Sequence, residues 1–173
     1  MEGTLENVAG AWQLRFTRTL AHPADKVWRA ITDPQHLAAW FPTSIEGERR
    51  SGAALRFTFP NGEAEPFTGE MTACDPFTLL EFTWGGDTLR FELEPAGHKT
   101  ILTLTDTFTP VGKGARDAAG WHACLDLLEN HIDGAQPPPD PGERWRHAHN
   151  IYVARFPQEA TTIGPPPNND TRP

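Results

Sequence analysis

The sequence predicts an α+β fold, a curved antiparallel sheet wrapped around one long helix, and three observations carry that prediction. Ala115–Gly134 (ARDAAGWHACLDLLENHIDG) sets Trp121, Cys124, Leu125, Leu128 and Ile132 at helical spacing, with His122, Asp126, Glu129 and Asp133 opposite them. The residues before it divide into short alternating segments separated by turn signals, the pattern of a sheet with one buried face. Two brief helical patterns interrupt those segments, both directly after the first strand. A run of about 20 helical residues spans roughly 30 Å, so its apolar stripe needs a broad surface to lie on.

Trp12–Leu20 is the first predicted strand, with Trp12, Leu14, Phe16 and Leu20 on one face and Gln13, Arg15, Thr17 and Thr19 on the other. Pro23 opens a short helix whose apolar side is Val27, Ala30 and Ile31, flanked by Trp28. Asp33 caps a second one that begins at Pro34 and carries Leu37, Trp40 and Phe41. A meander follows: Ser44–Glu46, Ala54–Phe59, Phe67–Ala73, Leu79–Trp84, Thr88–Leu93 and Thr100–Phe108. Pro60-Asn61-Gly62, Asp75-Pro76 and Trp84-Gly85-Gly86-Asp87 mark three of its reversals. The sheet therefore has six to seven strands, the brief Ser44–Glu46 being the marginal one.

Residues 1–134 are expected to form one domain, followed by a Pro-rich connector over 135–142 and an accessory helix over 143–156. That helix sets Trp145, His149, Tyr152 and Phe156 along one side, and it is expected to fold back, because an isolated helix of about 14 residues is marginal in water. Residues 157–173 are rich in proline and asparagine and are expected to be disordered.

With 173 residues, 38% of them hydrophobic, the chain is long enough to bury a core. A formal charge of −8 argues against nonspecific nucleic-acid binding, which depends on Lys and Arg against phosphates. No apolar run of about 18 residues suggests a membrane span. The start, MEGTLENVAG, has neither the basic segment nor the apolar core of a secretory signal, so a cytoplasmic location is expected. Cys74 and Cys124 lie among apolar neighbours and are read as reduced, buried thiols, with their pairing left open.

Three blocks carry a family resemblance. HPADKVWRAITDPQHLAAWF (His22–Phe41), GEMTACDPFTLLEFTW (Gly69–Trp84) and GWHACLDLLENHIDG (Gly120–Gly134) together resemble the START-like helix-grip superfamily, also called SRPBCC. Within it, the chain is similar to the homologues of the activator of the ninety-kilodalton heat-shock chaperone ATPase. The resemblance covers about Trp12–Gly134. It implies an apolar cavity between the long helix and the sheet, in a superfamily that includes lipid carriers, hormone receptors and polyketide cyclases. The blocks fix packing and turns; they name no catalytic atom.

Strand parity puts two charged residues on the inner face: Arg18 with Leu14, Phe16 and Leu20, and Asp106 with Leu104 and Phe108. Their strands come first and last in the predicted sheet, which strong bending would bring together. A buried charge needs a partner. Either the two form a polar anchor inside the cavity, or they make a strand-end or packing salt bridge. His122 falls on the polar helix face and reads as a solvated histidine. His147 and His149, two apart on a helix, point in different directions, and no metal site is predicted. No cofactor is predicted either.

The aromatic residues are more informative. The expected ligand-binding set is Arg18, Trp40, Phe57, Phe67, Trp84, Phe91, Asp106, Trp121 and Leu125. Burying about 300 Å² of apolar ligand would contribute roughly 7 kcal/mol before entropic costs. The expected partner is therefore a small apolar or amphipathic molecule, with a homodimer left open. Two alternatives stand beside this reading. One is a cyclase- or hydrolase-type enzyme using Arg18, Asp106 and His122; the other is a chaperone ATPase-stimulating interaction protein.

Overall fold

The computed structural model describes residues 2–136 and 140–164. Its eight strands form one antiparallel sheet in the order β1-β2-β8-β7-β6-β5-β4-β3. They are β1 (Thr4–Val8), β2 (Ala11–Leu20), β3 (Ser44–Glu46), β4 (Ala54–Thr58), β5 (Phe67–Asp75), β6 (Leu79–Trp84), β7 (Asp87–Ala96) and β8 (Lys99–Phe108). Helices α1 (Ala24–Thr32) and α2 (Pro34–Leu37) lie between β2 and β3 and so carry the chain from one side of the sheet to the far edge. Helix α3 (Gly114–Ile132) is the long helix, and α4 (Pro141–Arg155) packs against it. None of the helices among the described residues is long and apolar enough to cross a membrane.

The count of six to seven strands was short by β1. That strand pairs with β2 through a turn at Ala9 and Gly10, both in the left-handed region. Its sequence, TLENV, escaped pattern reading because only Leu5 is even half-buried, so no apolar alternation announces it. The expectation that β2 and β8 lie at opposite ends of the sheet also fails. They are hydrogen-bonded neighbours, with Leu14 opposite Asp106, Phe16 opposite Leu104 and Arg18 opposite Leu102. No strong bending is needed to bring them together.

Inward-facing residues line up across the strands. Leu14, Asp106 and Leu89 form one row, which continues through Phe82 to Met71. Phe16, Leu104, Phe91 and Leu80 form the next. All of these apolar side chains are essentially fully buried. Helix α1 presents Val27, Trp28, Ala30 and Ile31 to this layer, and α3 presents Ala118, Trp121, Leu125, Leu128 and Ile132. Asp33 caps α2 by accepting from the Gln35 backbone N–H at 2.9 Å, as its place before Pro34 suggests.

At the other end of the chain, Pro137–Pro139 of the expected connector lie outside the described residues. Helix α4 buries Ala148 and Tyr152 against the domain. The Tyr152 hydroxyl accepts the Gly3 backbone N–H at 2.9 Å and lies 2.8 Å from His122 Nδ1. The expectation of disorder from 157 onward is corrected as far as Gly164. A 3-10 turn, Gln158–Thr161, buries Ala160 beside Gly114, and the Ile163 N–H donates to Gly112 O at 2.9 Å. The small side chains let this segment sit tightly on the start of α3. The remainder of the tail, 165–173, lies outside the described residues.

Replacing Tyr152 with Phe strands the buried Gly3 donor and frees His122. Urea denaturation of Y152F should show a loss of roughly 1–3 kcal/mol. An unchanged midpoint would mean that α4 is held by packing alone.

Candidate functional site

A pocket of about 410 Å³ opens at one end of the grip. Its size is that of a small-molecule site. Helix α3 forms one wall with Gly120, Trp121 and Cys124, and the sheet supplies Trp84 from the end of β6 and Asp106 from β8. Phe59, Pro42 and the Trp145 ring of α4 complete the apolar part, and the exposed Glu63 and Ala64 stand at the open side.

Aromatic packing fixes this wall. The Trp84 and Trp121 rings meet edge to face at 5.5 Å, and both lean on Phe41, at 6.1 and 5.8 Å. Phe67 backs Trp84 at 5.8 Å, and Phe57 stacks on Phe67 at 4.9 Å. The hairpin Trp84-Gly85-Gly86-Asp87 places Trp84 opposite Asp87, with Gly85 in the left-handed conformation that the turn requires.

The polar part of the pocket centres on Asp106, which is 1% exposed. Its Oδ2 accepts the Trp121 indole N–H at 2.8 Å. Among the described residues its Oδ1 has no hydrogen-bond partner, and neither has the buried indole nitrogen of Trp84. Burial, reinforced by the nearby Asp87 charge, pushes the Asp106 carboxyl up to about 7. Asp87, Asp106 and Asp117 bring carboxylate oxygens within 4.8 Å of one another. Lys113 already serves two of them: its ammonium lies 2.6 Å from both Asp87 oxygens and 3.3 Å from Asp117. Burial pulls Lys113 down, but these two carboxylates outweigh it and hold its pKa above the usual value. Arg116 pairs with Asp117 at 2.8 Å. Asp106 is left with one indole donor.

The family model for Activator of Hsp90 ATPase homolog 1-like protein matches residues 21–133. The chain belongs to this family. Its fold is that of several solved structures. A conserved protein of unknown function from Enterococcus faecalis is 22% identical, with a TM-score of 0.71 over 90% of this chain and 92% of that one. CalU16 from Micromonospora echinospora is 25% identical, with a TM-score of 0.70 over 88% and 96%. DynU16, a protein in the dynemicin biosynthetic locus, is 26% identical, with a TM-score of 0.63 over 72% of this chain and 48% of that one. A comparison with curated proteins returns no match.

The residues expected to bind a ligand fall into three groups. Trp84, Asp106 and Trp121 meet in the pocket wall. Phe57, Phe67, Trp40, Phe91 and Leu125 lie in the layer behind it, where Trp40 donates its indole N–H to Ala30 O at 2.9 Å and meets Phe91 at 6.1 Å. Arg18, 3% exposed, turns to the far part of α3, with Nε 2.8 Å from Glu129 and Nη2 3.5 Å from Asp126. Arg18 and Asp106 thus do not share one site. Four residues separate their register positions on β8, a rise of roughly 13 Å.

The remaining candidates are placed by their contacts. His122 is half-buried rather than solvated, because α4 covers that face of α3 and Tyr152 bonds its ring; burial lowers its pKa. The free Cys124 thiol lines the pocket, and burial pushes it up to about 12, so it is no nucleophile near neutral pH. Cys74 is also free. His149 stacks on Trp145 at 4.7 Å. Gly120 and Trp145 were among the pocket residues missed, as were the charged Glu63, Asp87, Arg116 and Asp117. The spacing Asp117, Gly120, Trp121, Cys124 marks one helical face with a gap in it, and that gap was the available signal for Gly120.

Asp106 gives stability a pH dependence. Its folded pKa near 7 lies above the unfolded value of about 4, so the folded state holds a proton that the unfolded chain has lost between those limits. This contribution is present below about pH 4 and lost as pH rises to 7. Asn keeps the acceptor for Trp121 but cannot titrate. D106N should gain on wild type by roughly 2 kcal/mol between pH 5 and pH 8 in paired denaturation curves. Parallel curves would assign Asp106 an ordinary pKa.

Proposed function

We infer that the protein binds a small hydrophobic or amphipathic molecule in the pocket beside Trp121. The observation that carries this reading is the joint presence of an aromatic-lined space and, on two of the residues that line it, buried polar atoms without a partner among the described residues. A pocket walled by Trp84, Trp121, Phe59 and Trp145 gains most from a flat or branched apolar guest. Asp106 Oδ1 and the Trp84 indole N–H supply one acceptor and one donor for orientation, and each is costly to leave unmet. Family membership supports the reading through the fold, which sets a long helix across the sheet and leaves room at one end of it.

A second reading is a cyclase- or hydrolase-type reaction on an aromatic or polyketide-like guest. The Asp106 carboxyl favours it, since a pKa of about 7 suits proton transfer near neutral pH. Of the three residues expected to do such chemistry, only Asp106 reaches the pocket. Arg18 is engaged by Asp126 and Glu129, and His122 by Tyr152.

Gly120 provides a clean test. A Cβ built there meets no atom within 4 Å, and a mid-helix glycine costs about 1 kcal/mol relative to alanine. G120F should therefore fold at least as stably as wild type while its ring occupies the pocket. Titration with 1-naphthylmethanol, followed by tryptophan fluorescence, should show saturable quenching in wild type and affinity at least about tenfold weaker in G120F. Equal affinities would place binding elsewhere; no saturation of wild type by this or any other apolar probe would end the binding reading.

A further inference from the structure

We propose that the guest is a hydrophobic amine, held with its ammonium group against Asp106 and its apolar body between the tryptophans. This inference rests on the pocket reading above and adds the chemical class of the ligand.

The first argument is charge. Glu63, Asp87, Asp106 and Asp117 belong to the pocket wall, against the single guanidinium of Arg116. Lys113 lies behind them and is taken up by Asp87 and Asp117, while Arg116 is paired with Asp117. The internal cations are thus committed to Asp87 and Asp117, and neither makes a hydrogen bond to Asp106. A carboxylate or phosphate guest would enter an acidic wall whose two nearby cations, among the described residues, are already paired. A guest with a positive charge would enter a field that attracts it.

The second argument is the kind of apolar surface. Among aromatic side chains the indole face attracts a cation most strongly, and three tryptophans, Trp84, Trp121 and Trp145, line this one space. An aliphatic wall would bury a neutral guest as well but would offer an ammonium group nothing. Tryptophans beside a carboxylate favour the charged amine over the matching alcohol.

The third argument is the unpaired oxygen. Asp106 sits at the centre of the inward row between Leu14 and Leu89, where an ionised carboxylate is costly. Trp121 satisfies Oδ2 alone. Facing or surrounding Asp106 are Asp87 from β7, Lys113 from the turn before α3, and Asp117 and Arg116 from α3; Glu63 stands at the rim. Burial, with the Asp87 and Asp117 charges added to it, raises its pKa to about 7, so the empty pocket holds a carboxyl that is mostly protonated at pH 6 and about half protonated at pH 7. An ammonium donor on Oδ1 reverses that balance: the carboxyl loses its proton to solvent and becomes the counter-ion. The Trp84 indole N–H, also without a partner, accommodates a hydroxyl or ether oxygen elsewhere on the same guest.

Three near-isosteric probes separate the outcomes: 1-naphthylmethylamine, 1-naphthylmethanol and 1-naphthoic acid, titrated calorimetrically at pH 6 and pH 8.5 in buffers of different ionisation enthalpy. The amine should bind about tenfold or more tightly than the alcohol, and the acid most weakly. Amine binding should release close to one proton at pH 6 and almost none at pH 8.5; alcohol binding should release none at either pH. D106N should bring the amine-to-alcohol affinity ratio towards one. The wild-type proton release stands as evidence even if that variant folds poorly. Equal binding of amine and alcohol, or amine binding without proton release at pH 6, overturns the proposal and leaves the pocket reading intact. Displacement of the amine by millimolar Mg²⁺ also overturns it, by giving the carboxylates to a metal. If none of the three probes binds, it is the pocket reading that fails.

Discussion

The Trp121 indole N–H reaches across 2.8 Å to a carboxylate in the middle of an otherwise apolar row, and this bond sets where α3 lies on the sheet. Sliding the helix by one turn would leave both groups buried and unmet, at a cost of a few kcal/mol. Hydrophobic packing alone tolerates such slippage, because Leu125, Leu128 and Ile132 are similar enough to exchange places. The polar pair makes the register unique. It also brings Trp121 against Phe41 and Trp84, so the same contact that positions the helix shapes the pocket wall.

A second polar fastening holds the other end of the grip, and it is built differently. Arg18 on β2 engages both Asp126 and Glu129 of α3, and Arg144 of α4 adds a 2.8 Å contact to Asp126. Sheet, long helix and accessory helix are joined there by opposite charges, with Tyr152 and His122 alongside. Each charge in that cluster has protein partners. Asp106 has one indole donor and no cation in hydrogen-bond contact. The contrast separates the roles: where every group is answered from within, the cluster serves packing, and where an oxygen is left over, the site can answer a guest.

Much of this architecture was legible because one physical rule governs it. Period-two alternation gave β2, β4, β7 and β8, and turn signals delimited β5 and β6, all with ends within a few residues; parity alone turned Arg18 and Asp106 inward. Asp33-Pro34 announced α2 through capping chemistry. What failed had no local signature. β1 is an exposed edge strand held by pairing with β2, and pairing leaves no trace in TLENV. His122 looked solvated because α4's docking face is a tertiary fact, as is the burial of Ala160 on Gly114. Parity likewise says which face a residue takes but not how far along the strand it lies. Arg18 and Asp106 were therefore joined on paper and kept apart in the fold.

The position of the pocket follows from where large side chains run out. Through the middle of the grip, Phe57, Phe82, Phe91 and Trp40 contact one another ring to ring. Towards the start of α3 the helix carries Ala115, Ala118, Ala119 and Gly120, and the sheet opposite ends at the Trp84–Asp87 turn. Small residues let the helix approach closely at Ala115 and Ala118, yet Gly120 faces open space. A larger residue at that position would gain helix propensity and close the gap, so the glycine weakens α3 and keeps the volume free. Trp145 then gives α4 a part in the site: the accessory helix covers the polar side of α3 and delivers an aromatic ring to the rim. The aromatic wall thus needs both helices, and the accessory helix is an integral part of the site.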